Sequence, residues 1–97
     1  MLKQPVYRSK KWLAAVRSLE YCVNCGRYHV EAAHRNEGKG MGQKVDDCLS
    51  AALCHECHYE IDNGKNLSRE EKRDLMDNAI LKTLVQLARR GLIEVVQ

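Results

Sequence analysis

The sequence predicts an α+β domain, and three observations predict it. Two Cys-x-x-Cys pairs, Cys22 with Cys25 and Cys54 with Cys57, bracket a segment with short apolar and alternating runs typical of strands. Helical patterns flank this segment on both sides. The chain has 97 residues, the length of one domain, so we expect a single unit over 1–97 with its core at 22–64.

The composition limits the core and the location. The chain has no Phe, one Trp and four Tyr, so its core must be mostly aliphatic, and a structural metal would add stability. A net charge of +3 permits nucleic-acid binding without demonstrating it. Neither an amino-terminal export signal nor a run long enough to span a membrane is present, so we expect a cytoplasmic protein with no membrane partner.

The first predicted element is a basic helix. Ser9 is a suitable cap, and Leu13, Val16 and Leu19 recur at helical spacing. Lys10 and Lys11 lie at its start. They are candidates for contact with nucleic-acid phosphates, with a solvated helix face as the equal alternative.

The middle of the chain predicts two strands and a loop. Residues 28–34 alternate, with Ala32 and His34 on one face and Glu31 and Ala33 on the other. Three glycines make residues 35–44 a loop, in which Arg35, Lys39 and Lys44 are candidates for binding nucleic-acid phosphates or are simply solvated. Residues 49–53 are short and apolar, as in a returning strand.

Two helices should follow. The first starts within the second cysteine pair and stops at Asn63 and Gly64. A capping box, Ser68 to Glu71, opens the second, which we expect over about 68–90. Its predicted core stripe is Leu75, Met76, Ala79, Ile80, Leu84, Leu87 and Ala88. The sequence leaves open whether residues 92–96 form a strand or a tail.

The four paired cysteines predict a zinc site. A turn across Cys-x-x-Cys aims two thiolates at one point, and two such turns complete a tetrahedron of soft ligands. Burial as free thiols is the alternative, as is a shell in which His29, His55 or His58 replaces a cysteine. The fifth cysteine, Cys48, is expected to be a buried apolar residue.

A second cluster has the chemistry of a reactive site. His58 and Asp62 are four residues apart, so both lie on one face of a helix, where they can share a cation such as Mg²⁺. His34 has a side chain that titrates near neutrality and is suited to accept a proton from water. The alternatives without a reactive role are a hydrogen-bonded strand histidine for His34 and a surface pair on the helix for His58 and Asp62.

Taken together, these motifs resemble the HNH, or ββα-metal, nucleases, and most closely the small phage and prophage members of the YbcO-like kind. The resemblance covers 22–64 and is carried by strand, loop, strand and helix, by the two cysteine pairs, and by Ala33-His34, Gly38-Lys-Gly-Met-Gly-Gln-Lys44, Asp46-Asp47 and Cys57-His58-x-x-Ile61-Asp62. It implies a phage setting for the protein, with a role in DNA processing or recombination.

The resemblance also implies residue roles. His34 would be the general base, and His58 and Asp62 would bind a catalytic Mg²⁺ or Mn²⁺, with Asp47 organising the loop or completing the metal site. Many HNH enzymes have a metal-binding Asp or His immediately before the catalytic histidine, where this chain has Ala33. Asp46 or Asp47 then supplies the ligand, or His34 itself binds metal, or the site has decayed.

The predicted function is metal-dependent endonucleolytic hydrolysis of DNA, with a structural zinc. The alternative is a non-catalytic zinc module that binds nucleic acid or a protein partner, and Ala33 is the feature that separates the two. A redox switch on the cysteine thiols is a further alternative that nothing else in the sequence supports. Whether the protein acts as a homodimer stays open.

Overall fold

A computed structural model describes residues 5–35 and 45–96 of the chain. Its elements, in order, are α1 (Lys10–Arg17), β1 (Glu31–His34), β2 (Ser50–Leu53), α2 (His55–Asn63) and α3 (Arg69–Arg89). Three helices around a two-stranded antiparallel sheet form a small α+β fold, as the sequence predicts. Within these ranges no helix has the length and apolar character needed to cross a membrane. The predicted loop residues Lys39 and Lys44 lie outside the described residues.

Helix α1 begins at the predicted cap. The hydroxyl of Ser9 accepts a hydrogen bond from the backbone N–H of Trp12 at 3.0 Å, which satisfies one of the free donors of the first turn. Val16 and, just after the helix, Leu19 are buried, whereas Lys10 and Lys11 stay exposed. The apolar side of α1 therefore packs on the sheet and its basic side faces solvent.

Strand β1 is shorter than the sequence predicts. His29 has a φ of 81°, outside the range of a strand, so the extended run starts at Glu31 rather than at Tyr28. β1 pairs with β2 in the register Glu31 to Leu53 through His34 to Ser50. Ala33 and its partner Ala51 are both fully buried, so small side chains fill the centre of the sheet.

Helix α3 begins at the predicted capping box, in which Ser68 and Glu71 bond each other's backbone N–H groups. Its buried face consists of Met76, Ala79, Thr83 and Leu87. The predicted stripe is wrong at two positions: Leu84 is 43% exposed and Ala88 is exposed too. The register of the helix against β2 places Thr83 inward instead, where its hydroxyl accepts from the N–H of Ala52 at 3.1 Å.

The amino-terminal segment is fixed against the residues that precede β2. The backbone N–H of Tyr7 donates to Oδ1 of Asp46, and the N–H of Asp47 donates to the carbonyl of Tyr7, both at 2.9 Å. These bonds place residues 7–9 beside the carboxylate of Asp47. The described residues after α3 include no strand, which answers the open question about residues 92–96.

Candidate metal centre and histidine pairs

The four paired cysteines converge. One sulfur from each of Cys22, Cys25, Cys54 and Cys57 lies within 4.8 Å of the others. In the first knuckle (residues 22–26), Gly26 has a φ of 81° and its N–H donates to the carbonyl of Cys22 at 2.8 Å. In the second knuckle (residues 54–57), Cys54 caps α2 and its sulfur accepts from the N–H of Cys57. Both turns thus aim their thiols at one point.

This cluster fits a zinc ion by its donors. Four cysteine sulfurs in one place are the ligand set of a closed, structural Zn²⁺ site. A hydrogen bond of 3.0 Å from the N–H of Val23 to the carbonyl of Ala52 joins the first knuckle to β2 and keeps the two knuckles together. The side-chain amide of Asn24 lies 3.4 Å from the sulfur of Cys57, where it would orient that ligand.

The thiols of the cluster differ in pKa. Burial and the neighbouring thiols raise the pKa of Cys57 to about 12. At Cys22 burial acts in the same upward direction, but the backbone N–H groups of Cys54, Cys25 and Asn24 outweigh it and lower the pKa to about 7. Of Cys22 and Cys57, Cys22 therefore deprotonates more readily and would be the first to offer a thiolate to a cation. Cys48 is half-buried rather than buried and lies outside the cluster.

His34, the last residue of β1, is paired with Asp47. Nε2 of His34 and Oδ1 of Asp47 are 2.9 Å apart. Asp47 is only 3% exposed, and its other oxygen accepts the N–H of Ser9 at 2.7 Å. Arg8 donates to the same Oδ1 at 3.1 Å. The bonds from His34, Ser9 and Arg8 lower the pKa of Asp47, so this carboxylate is ionised at neutral pH.

His58, in the first half of α2, lies between two carboxylates. Its Nδ1 is 2.5 Å from Oε1 of Glu31, and its Nε2 is 3.1 Å from Oδ2 of Asp62, one helical turn further along. The hydrogen bond with His58 lowers the pKa of Glu31. His55, at the start of the helix, lies 3.6 Å from the other oxygen of Glu31. The strand therefore contributes a carboxylate to the helix pair that the sequence predicts.

The predicted catalytic residues fall into two pairs. The structure brings His34 to Asp47 and His58 to Asp62. It does not bring Asp47 together with the second pair as a metal-binding group, because over 5–35 and 45–96 the four cysteines are the only such cluster of three or more His, Cys, Asp or Glu side chains. Ala33 is fully buried and supplies no ligand.

The structure describes three of the five residues that the sequence predicts to contact nucleic acid. Arg35 donates to Oδ1 of Asp77 on α3 at 2.7 Å, so its guanidinium is engaged within the protein. Lys10 and Lys11 are exposed on α1. Lys39 and Lys44 belong to the range that the structure does not describe.

Two contributing residues were missed from the sequence. Strand alternation predicts that Glu31 faces away from His34, but not that it meets α2. The sequence gives no sign of the contact between Arg8 and Asp47, because the two residues are 39 positions apart. Comparison of the chain with protein-family models, with curated proteins and with solved structures gave no match.

Proposed function

We propose that this protein is a metal-dependent endonuclease that hydrolyses phosphodiester bonds of DNA, with a structural zinc bound by its four paired cysteines. The observation that carries the proposal is the pairing of His34 with the buried Asp47 at the end of β1. The side chain of His34 is 30% exposed, so one part of the ring is held by the protein while another part faces solvent. An imidazole held in this way is suited to general-base catalysis.

The hydrogen bond determines which nitrogen would act. Because Asp47 is ionised and accepts from Nε2, the proton of the neutral ring is assigned to Nε2, which leaves the lone pair on Nδ1. Nδ1 would then take the proton of a water molecule that attacks phosphorus. The imidazolium formed in that step would be stabilised by the carboxylate of Asp47, as in other His–Asp pairs.

His58 and Asp62 are the residues that would hold a divalent cation. Nε2 of His58 and Oδ2 of Asp62 converge at 3.1 Å, and an imidazole and a carboxylate can share Mg²⁺ or Mn²⁺. When bound, such a cation supplies charge stabilisation to the phosphate and the leaving oxygen. Both oxygens of Asp47 already accept hydrogen bonds, so we assign Asp47 to positioning His34 rather than to the cation.

A second candidate function is a non-catalytic zinc module that binds nucleic acid or protein. One observation favours it: in the described ranges the residues form no cluster of three or more oxygen and nitrogen ligands for a second metal. Ala33, at the position where many HNH enzymes carry a ligand, is fully buried in the sheet. Cleavage activity separates the two functions.

The experiment is a plasmid-cleavage assay with zinc-loaded protein and Mg²⁺ or Mn²⁺. We expect the wild type to nick or linearise supercoiled DNA and His34→Ala to lose at least about 100-fold in rate, the usual contribution of a general base. His29→Ala is the matched control, because His29 is an exposed histidine outside both pairs. Zinc content is measured in all three proteins so that loss of folding is not taken for loss of catalysis.

Two outcomes contradict the proposal. If zinc-loaded wild type cleaves neither duplex nor single-stranded DNA with any of several divalent cations, the non-catalytic module is the better description. If His34→Ala and His29→Ala retain equal activity, the nuclease activity does not depend on the pair that carries the proposal.

A further inference from the structure

We propose that a groove between the first knuckle and α3 binds an unpaired nucleic-acid strand. The groove has a volume of about 270 Å³. Leu19, Tyr21 and Val23 line one side of it, and Lys82, Gln86 and Arg90 line the other. The inference rests on the proposed function, from which it takes a nucleic acid as the ligand. It adds that the bound nucleic acid is unpaired.

The aromatic side of the groove is exposed and fixed in place. Tyr21 is 55% exposed, and its ring lies 5.5 Å from that of Tyr28 in an edge-to-face arrangement. The two tyrosines form an isolated antiparallel bridge that closes the first knuckle. An N–H···O bond of 2.7 Å from His29 to Glu20 holds the bridge from the outside. A base that stacks on Tyr21 therefore orders little additional chain, which favours binding.

The opposite side of the groove carries the positive charges of Lys82 and Arg90. Lys82, Gln86 and Arg90 recur every fourth residue, so they form one stripe about 12 Å long on α3 and its cap. Within the described ranges neither Lys82 nor Arg90 forms an ion pair. Among the described residues that line the groove there is no aspartate or glutamate, and Cys22, which also lines it, belongs to the four-cysteine cluster. Phosphates are the ligands that such a stripe attracts.

The combination favours an unpaired strand over a duplex. In a duplex the faces of the bases are covered by stacking, so a tyrosine beside the backbone has no base to contact. An unpaired strand presents base faces and phosphates together, and proteins bind it with aromatic platforms along a basic groove. An acidic peptide would satisfy Lys82 and Arg90 but would leave the ring of Tyr21 unused.

The test is fluorescence anisotropy with a labelled oligothymidylate, a labelled duplex of equal length and polyglutamate as competitor. Binding is measured without added Mg²⁺ or Mn²⁺, so it does not depend on cleavage. We expect Tyr21→Leu to weaken oligothymidylate binding about tenfold, because stacking on one ring is lost, and Tyr21→Phe to retain it. We expect the double variant Lys82→Gln/Arg90→Gln to reduce the slope of log K against log salt by about 1.4.

The control removes two positive charges away from the groove. Lys65 lies before the start of α3 and Arg69 is the first residue of that helix. Both are exposed and neither lines the groove, so Lys65→Gln/Arg69→Gln should leave the salt slope closer to that of wild type than the groove variant does. Zinc content reports whether each variant is folded. The proposal is overturned if Tyr21→Leu binds like wild type, if both double variants change the slope equally, or if polyglutamate binds as tightly as the oligonucleotide.

Failure of this inference and failure of the nuclease proposal give different results. A protein that cleaves plasmid in a His34-dependent manner but binds oligothymidylate independently of Tyr21 remains a nuclease, with the groove unused. A protein that binds the strand through Tyr21, Lys82 and Arg90 but cleaves nothing retains the groove and loses the nuclease function.

Discussion

Oε1 of Glu31 lies 2.5 Å from Nδ1 of His58, so a carboxylate on β1 holds one nitrogen of an imidazole on α2. The other nitrogen of that ring lies 3.1 Å from Asp62. A ring restrained at Nδ1 presents Nε2 in a fixed direction, and carboxylates of this kind commonly orient histidines that bind metals. The contact spans 27 residues and joins the sheet directly to the helix that follows it.

Replacing Glu31 should weaken metal binding at His58 and Asp62. We expect Glu31→Gln to lower the affinity for Mn²⁺ by roughly 10- to 100-fold, because the amide holds the ring less firmly than the carboxylate. Calorimetric titration of zinc-loaded protein with Mn²⁺ measures this change. Glu56→Gln is the matched control, since Glu56 lies on the same helix as His58 but forms an ion pair with Arg27 at 2.7 Å. Equal affinities in the two variants would show that Glu31 does not position a ligand.

Zinc should be essential to the fold. We expect one zinc ion per chain in wild type, little zinc in Cys54→Ser, and full zinc in Cys48→Ser, because Cys48 is outside the cluster. Zinc at a thousand times its dissociation constant stabilises a protein by about 4 kcal/mol, so Cys54→Ser should melt at a much lower temperature. Elemental analysis and thermal denaturation measure both effects. Normal zinc in Cys54→Ser would contradict the four-cysteine site.

The buried carboxylate of Asp47 should stabilise the fold at neutral pH. Asp47→Asn leaves the donors of Ser9 and Arg8 facing an amide, and we expect a loss of about 1–3 kcal/mol in the free energy of unfolding. The pKa of Asp47 is lowered in the folded state, so its contribution is complete above the unfolded pKa of about 3.9 and declines as pH falls through the folded pKa.

Urea denaturation in zinc-containing buffer tests this expectation. The difference between wild type and Asp47→Asn should persist at pH 7 and at pH 5. Asp74→Asn is the control, because Asp74 is exposed on α3. A difference that already disappears at pH 5 would mean that Asp47 is not held ionised by its partners.

The hydroxyl of Thr83 should contribute more to the free energy of unfolding than its methyl group does. It accepts from the N–H of Ala52 at 3.1 Å and donates to the carbonyl of Ala79 at 2.7 Å, and the residue is 1% exposed. Thr83→Val keeps the shape but leaves the N–H of Ala52 without its partner, so we expect a loss of about 1–3 kcal/mol. Thr83→Ser keeps the hydroxyl and should lose less. Urea denaturation of the two variants ranks them, and the reverse order would contradict this account.

The elements that the sequence predicted well depend on local chemistry. The caps at Ser9 and Ser68 bond to N–H groups three residues away, so their partners are fixed by sequence distance alone. The cysteine pairs likewise contain their own turn geometry. Convergence of the two pairs followed because a metal site needs four ligands, and the structure confirms that the four sulfurs lie together.

The features that the sequence did not predict depend on packing between distant elements. The contact of α3 with β2 determines which face of the helix is buried. In that contact Thr83 is buried and Leu84 is exposed. The contact between Glu31 and His58 depends on how α2 lies against the sheet, and no spacing in the sequence encodes it. The late start of β1, at Glu31 instead of Tyr28, follows from a positive φ at His29, and few sequence patterns indicate a positive φ at a residue other than glycine.

The contacts of Asp47 also set an order of events during synthesis. Its partners Arg8 and Ser9 precede it by 39 and 38 residues, and His34 precedes it by 13. A growing chain that ends before Asp47 therefore contains His34 without the carboxylate that orients it, and its first residues without their anchor. Closing that loop costs conformational entropy that only the finished contacts offset. The proposed base consequently acquires its orientation only after Asp47 has been translated.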